Sequence, residues 1–324
     1  VIDSVRLSAA GLTAEILTFG AALRDLRLDG VDHPLTLGLA RIDDYPQHSQ
    51  YFGAVCGRFA NRIARGAFHL DGRRHHLERG PGQRHHLHGG PTAGFSARLW
   101  TLSRRTGDEA VFTLDSADGD GGYPGAVSAA VRYALVEPAT LLVELTATSD
   151  APTVVNLVHH PYWNLDGAAD VRGHRLTIAA DAVTETDVEL IPTGRLAPVA
   201  GTPWDFRDRR SIGAPDAAPY DVNFALSPLA APGLRFAARL EGARGVAMEL
   251  STDAPGMQLY DAPGMAVAVP GLDGRRYGPQ AGLCLEAQGW PDAPNHPDFP
   301  SAVLRPGQVW RRVVAHRFCA PGVQ

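Results

Sequence analysis

Apolar residues return at every second position in short runs along the chain, and turn-forming pairs separate the runs. The segments EAVFTLD near 110, TLLVELTATS near 140, GVAMELSTD near 245 and QVWRRVVAHRF near the end have the two-residue period of half-buried strands. Between many such runs stand Asp29-Gly30, Asp71-Gly72, Asp118-Gly119, Gly121-Gly122, Asp166-Gly167 and Asp273-Gly274, pairs suited to tight turns. The clearest hairpin is GAFHLDGRRHHL at 66–77: Phe68 and Leu70 share a face, Asp71-Gly72 turns the chain, and a second short strand returns. A sustained helical period is nearly absent, and 35 Gly with 25 Pro would interrupt any long helix. No repeat, linker or run of like charge divides the chain. The pattern predicts an all-β fold, a large antiparallel β-sandwich, with residues 1–324 forming a single domain.

The composition supports a packed protein with a small ligand. With 44% apolar and 20% charged residues the chain can bury a substantial core. A net charge of -5 without a basic cluster argues against nucleic acid and against anionic membranes. All 30 cationic side chains are Arg, so Schiff-base chemistry and a P-loop lysine are excluded. Cys56, Cys284 and Cys319 are too widely spaced for a disulfide framework or a thiolate zinc site, which points to a reducing, cytoplasmic compartment. The start lacks a basic segment followed by an apolar block, and no run of 18 apolar residues occurs. Residue 1 is Val, which leaves room for a removed segment ahead of it.

Candidate chemistry starts with LCLEAQGWPDAPN at 283–295. Leu283, Leu285 and Ala287 would point one way and Cys284, Glu286 and Gln288 the other. An unpaired buried carboxylate is costly, so the face of Glu286 must be solvated, partnered, or the wall of a site that uses the charge. In VVNLVHHPYWNLDG, 154–167, alternation puts Asn156, Val158, His160, Tyr162 and Asn164 on one face. Val155, Leu157, His159, Trp163 and Leu165 fall on the other. Pro161 puts this stretch at an edge, a bulge or a strand end. Locally, His160 reads first as a histidine satisfied by a neighbouring carbonyl and second as a proton carrier.

Three further motifs are weaker alone. In RHHLHGG, 84–90, His86 and His88 would face one side if extended, as hydrogen-bond donors, surface residues or metal ligands. A zinc site needs more ligands, and neither HExxH nor a Cys partner is present, so no metal is expected. GRFANRIARGAF, 57–68, offers Arg58, Asn61, Arg62 and Arg65 as directed donors or as a solvated turn. Asp221 in PYDVNFAL reads as a ligand group, a turn or a cap. The Pro- and Asp-rich stretches at 196–220 and 289–300 are expected to shape a binding site. The inventory of Glu, His, Arg, Asn, Gln and Asp suits a polyhydroxylated ligand. One Glu–His pair fits a proton shuttle better than the paired carboxylates of glycoside hydrolysis.

Taken in order, FGAVCGRFANRIARGAFHLDG, HLHGG, NLVHHPYWNLDG, TPWDFR, YDVNF, PGMQLY and LCLEAQGWPDAPN resemble the aldose 1-epimerase (galactose mutarotase) family over nearly the whole chain. The resemblance implies a galactose-mutarotase-like β-supersandwich that interconverts α and β anomers of free aldoses such as glucose or galactose, without cofactor. It implies Glu286 as general base and His160 as general acid. His88 would bond near the ring oxygen and C1, while Asn61, Arg62, Asp221 and Gln258 would hold hydroxyls. The partner implied is a free monosaccharide, and the protein would be a monomer or homodimer. His159 and Pro161 flanking His160, Val222 after Asp221, and His85 before HLHGG depart from the family's usual residues and bear on sugar preference. Two other readings stand beside it: a non-catalytic sugar-binding module on the same fold, and a relative acting on a phosphorylated or acidic sugar with Arg as anion clamp.

Overall fold

The computed structural model of the chain describes residues 1–49, 51–214, 217, 219–227 and 233–320. The alternating runs form strands at the expected places: Glu109–Ser116, Thr140–Ser149, Ala247–Thr252 and Trp310–Cys319. All four lie in a nine-stranded sheet, paired antiparallel to their neighbours. The predicted hairpin pairs Ala67–Leu70 with Arg73–His76, and Asp71 and Gly72 both take positive φ in its two-residue turn. Among the described residues the α-helical content is one turn, Tyr45–His48, beside several 3₁₀ turns.

A five-stranded sheet supplies one wall of the site. Its order is Pro192–Pro198, Ala182–Thr186, Asp221–Ala225, Gly256–Tyr260 and Cys284–Gln288, every pair antiparallel. Register puts Asn223, Gln258 and Glu286 in one row across three strands, and Asp221, Tyr260 and Cys284 in the next. Val222, Phe224, Met257, Leu259, Leu285 and Ala287 therefore point to the opposite face, where all six join the main core. That core also takes Val5 and Leu7 from a three-stranded sheet near the start of the chain and Phe112, Val131 and Val143 from the nine-stranded sheet. One face of the five-stranded sheet is thus apolar and buried by the sandwich, and the other carries polar side chains.

The 154–167 stretch divides as alternation predicts. Val155, Leu157, Trp163 and Leu165 enter the core, and His159 packs edge-on against Tyr133 and His316. Only Val158–His160 is strand, paired antiparallel with Ala54–Cys56. Beyond Pro161, Trp163 and Leu283 exchange backbone hydrogen bonds of 2.7 and 3.0 Å. That exchange fixes the segment beside the strand that carries Glu286.

Candidate active site

An open groove of about 310 Å³ lies over the polar face of the five-stranded sheet. Glu286, His160, His88, Asn61, Arg62, Asp221 and Gln258 all line it, together with Tyr51, Leu87, Tyr162 and Tyr260. The face opposite Leu285 and Ala287 is therefore a cleft wall with a buried carboxyl, and Glu286 is only 2% exposed.

The polar row orders itself through amides. The Gln288 side-chain NH₂ donates to Asn223 Oδ1 at 3.0 Å and to Gln258 Oε1 at 3.3 Å. The Gln258 NH₂ then donates to Asp221 Oδ1 at 2.5 Å. Arg62 Nη2 donates to the other Asp221 oxygen at 3.3 Å, which closes a chain ending on a carboxylate. Arg62 is itself fixed through its neighbours: its N–H donates to Asn61 Oδ1 at 2.9 Å, and its carbonyl accepts from Asp292 N at 2.8 Å. Asp292 Oδ1 also accepts from Ala64 N at 2.9 Å, so the 289–300 stretch shapes the groove by holding the loop that lines it. The 196–220 stretch contributes no described residue to the groove, contrary to expectation. Its residues up to Pro198 form an outer strand, and residues 215, 216 and 218 lie outside the described ones.

His86 and His88 do not face one side. Extended pairing of Arg62 with Leu87 and Ile63 with His86 ends there, and His88 takes φ 49°. This turn sends His86 away from the groove to Tyr123 Oη at 2.6 Å and the Glu78 carbonyl at 2.5 Å. His88 enters the groove instead. Its Nδ1 accepts the Asn61 backbone N–H at 3.2 Å, so the ring proton sits on Nε2. Gly89 makes the turn at φ 87°, where a Cβ would stand 1.6 Å from the Gly57 carbonyl oxygen. Arg58 also leaves the expected donor group: it is buried and donates to Ser116, Ala117 and Gly125 carbonyl or hydroxyl oxygens. Arg65 lines a separate depression with His85.

At the floor, His160 Nε2 lies 3.5 Å from Glu286 Oε1, and Cys284 Sγ lies 3.5 Å from His160 Nδ1. Tyr51 stacks on His160 with ring centres 5.8 Å apart and contacts His88 at 4.9 Å. Burial disfavours charge on both floor groups. It pushes the Glu286 carboxyl up to about 8, with Asp221 adding to the rise and Arg62 opposing it, and draws the His160 imidazole down to about 4. The His88 imidazole is held well below its ordinary value by burial and then by neighbouring His160 and Arg62.

Residue-level reading missed Tyr51, Leu87, Tyr260 and the part played by Cys284. Only Cys284 left a sequence signal, its two-residue spacing from Glu286 on one strand face. Among the described residues, His160, Cys284 and Glu286 form the one group whose donor atoms converge as metal ligands would.

The family model for aldose 1-epimerase matches residues 3–317. Galactose mutarotase of Rattus norvegicus is 37% identical over 329 residues, covering 98% of this chain and 94% of its own. Aldose 1-epimerase of Escherichia coli (strain K12) is 34% identical over 326 residues, covering 96% and 93%. Among solved structures, a GalM/aldose epimerase homologue from C. elegans superposes with a TM-score of 0.92 at 29% identity, covering 99% of this chain and 100% of its own. Galactose 1-epimerase from Lactobacillus acidophilus NCFM follows at a TM-score of 0.82 and 25% identity, with 99% of each chain covered. The match in sequence and in fold runs from end to end: the chain belongs to the aldose 1-epimerase family of carbohydrate isomerases.

Proposed function

We propose that the groove interconverts the α and β anomers of free aldoses by a proton shuttle between Glu286 and His160. The observation that carries this reading is their 3.5 Å approach on the floor of a cleft walled by hydrogen-bonding groups. Glu286 as carboxylate takes the proton of the C1 hydroxyl while His160 as imidazolium gives one to the ring oxygen. The bond from C1 to the ring oxygen breaks and the free aldehyde forms. After rotation about C1–C2 the ring oxygen attacks the other carbonyl face, the two protons return, and the opposite anomer leaves.

The shuttle needs a single proton that either partner can hold. The gap between about 8 for Glu286 and about 4 for His160 favours neutral carboxyl beside neutral imidazole by about 5 kcal/mol. Attraction between carboxylate and imidazolium at 3.5 Å is of the same size, about 5 kcal/mol at an effective dielectric near 20. Burial and mutual attraction therefore act on the proton in opposite senses, which suits a group that must act as acid in one direction and base in the other.

His88 in its fixed tautomer would donate to an oxygen near C1, and Asn61, Arg62, Asp221 and Gln258 would hold hydroxyls. Arg62 is the one arginine among the described groove residues and is engaged by Asp221, while Glu286 and His160 share one proton and together carry no net charge. This balance supports an uncharged sugar over a phosphorylated or acidic one. The cysteines among the described residues are unpaired, which supports a reducing, cytoplasmic setting. No described helix is long and apolar enough to cross a membrane.

Polarimetry tests the reaction directly. Freshly dissolved α-glucose or α-galactose should approach its equilibrium rotation faster with the protein. Glu286→Gln and His160→Asn should each lower that rate by about two orders of magnitude or more. Equal rates for wild type and both variants rule out the assignment, and saturable sugar binding without any rate effect would make the protein a sugar-binding module.

A further inference from the structure

We propose that His160, Cys284 and Glu286 form a ligand set for Zn²⁺, and that the bound cation shuts the groove in competition with the aldose. The inhibitory consequence rests on the function proposed above; the binding rests on the geometry alone. One donor atom from each residue lies within 4.8 Å of the other two, and all three side chains are buried. Zinc bonds to sulfur, nitrogen and oxygen imply donor–donor edges of about 3.4–3.6 Å in a tetrahedral site. One imidazole gives a single nitrogen to one ion, so only one of the two 3.5 Å approaches, Cys284 Sγ to His160 Nδ1 or Glu286 Oε1 to His160 Nε2, is an edge of the site, and that edge already matches. The other two edges, each within 4.8 Å, have to close by no more than about 1.4 Å.

A second observation also points to a ligand. Glu286 Oε2 is buried with no hydrogen-bond partner, although a buried carboxyl oxygen ordinarily has one. Cys284 and Glu286 stand two apart on one strand face, held by pairing to Tyr260 and Gln258, and His160 is fixed by the Trp163–Leu283 exchange. The donors are therefore on sheet backbone, with the groove leaving a fourth position open. Thiolate with imidazole selects a borderline or soft ion, so Mg²⁺ and Ca²⁺ are poor occupants. On binding, the Cys284 S–H and the Glu286 carboxyl lose their protons to solvent, and two anions with neutral His160 balance the charge of Zn²⁺. Both proton carriers are then tied to the metal and the shuttle stops.

Titration with Co²⁺ followed by absorption separates binding from inhibition. The expected result is a thiolate-to-cobalt charge-transfer band at one equivalent, displaced by Zn²⁺, depressed by saturating aldose and lost in Cys284→Ser. In rate assays Zn²⁺ should compete with the aldose, its inhibition constant should rise about tenfold or more in Cys284→Ser, and Mg²⁺ should do nothing. Absence of the band in wild type overturns the site. So does a band that persists in Cys284→Ser, which would move the metal to another cysteine. A band indifferent to aldose overturns the competition, and that arm uses only wild-type protein, so it stands even if the variant does not fold. A normal band in a protein without epimerase activity would leave the site intact and sink the function instead.

Discussion

Glu286 keeps its proton far above the range of an exposed carboxyl because burial removes the water that would solvate its charge and Asp221 adds repulsion. His160 loses its proton early for the same first reason. The pair holds two protons below about 4, one between about 4 and about 8, and none above. Only the one-proton state has both a donor and an acceptor, so kcat/KM should be bell-shaped with limbs near those values, to be read as properties of the pair. A profile flat from pH 4 to 9 would contradict this. The same shift is a statement about stability. The native state binds the Glu286 proton more tightly than an unfolded chain with a value of 4.5, so this contribution is complete below about 4.5 and lost as pH rises to about 8. Glu286→Gln should therefore melt above wild type at pH 8 and beyond, by no more than about 5 kcal/mol, and match it below pH 4.5. His88 is an imidazole that behaves like an indole here: its acceptor nitrogen is spent on the Asn61 backbone, leaving a fixed N–H donor.

At the scale of elements, the turn after Leu87 decides whether His88 reaches the groove. Gly89 at φ 87° has the Gly57 carbonyl where a side chain would be, so Gly89→Ala should cost at least about 2 kcal/mol. Chemical denaturation measures that cost, and activity should fall with it because His88 shares the distortion. This turn also shows what sequence could and could not reveal. Alternation alone placed Glu286 on a polar strand face and Trp163 on the face opposite His160, and the fold turns these into a groove wall and a core position. The same rule failed at His86 and His88, because the extended pairing stops at Leu87 and a left-handed residue follows. Arg58 followed no local rule; its guanidinium is satisfied by carbonyls of a loop about sixty residues away. The row of Asn223, Gln258 and Glu286 is likewise a product of pairing between strands distant in sequence, to which no single segment testifies. The family resemblance supplied what local pattern lacked, joining motifs that only the folded chain brings together.

For the molecule as a whole, one apolar cluster takes side chains from Val5 to Phe318 and joins three sheets. A chain so connected should unfold as a single unit despite its length, with near- and far-ultraviolet circular dichroism and activity disappearing in one coincident transition. Two resolved transitions would instead divide the chain into separate domains. The five-stranded sheet has a further consequence, since Leu285 and Ala287 press into the sandwich while Cys284, Glu286 and Gln288 look outward from the same five residues. The reactive groups therefore have no suspension of their own: whatever loosens the interior packing detunes the 3.5 Å spacing above it, and a cavity carved beneath Glu286 would be felt first as slower turnover, well before the molecule melts.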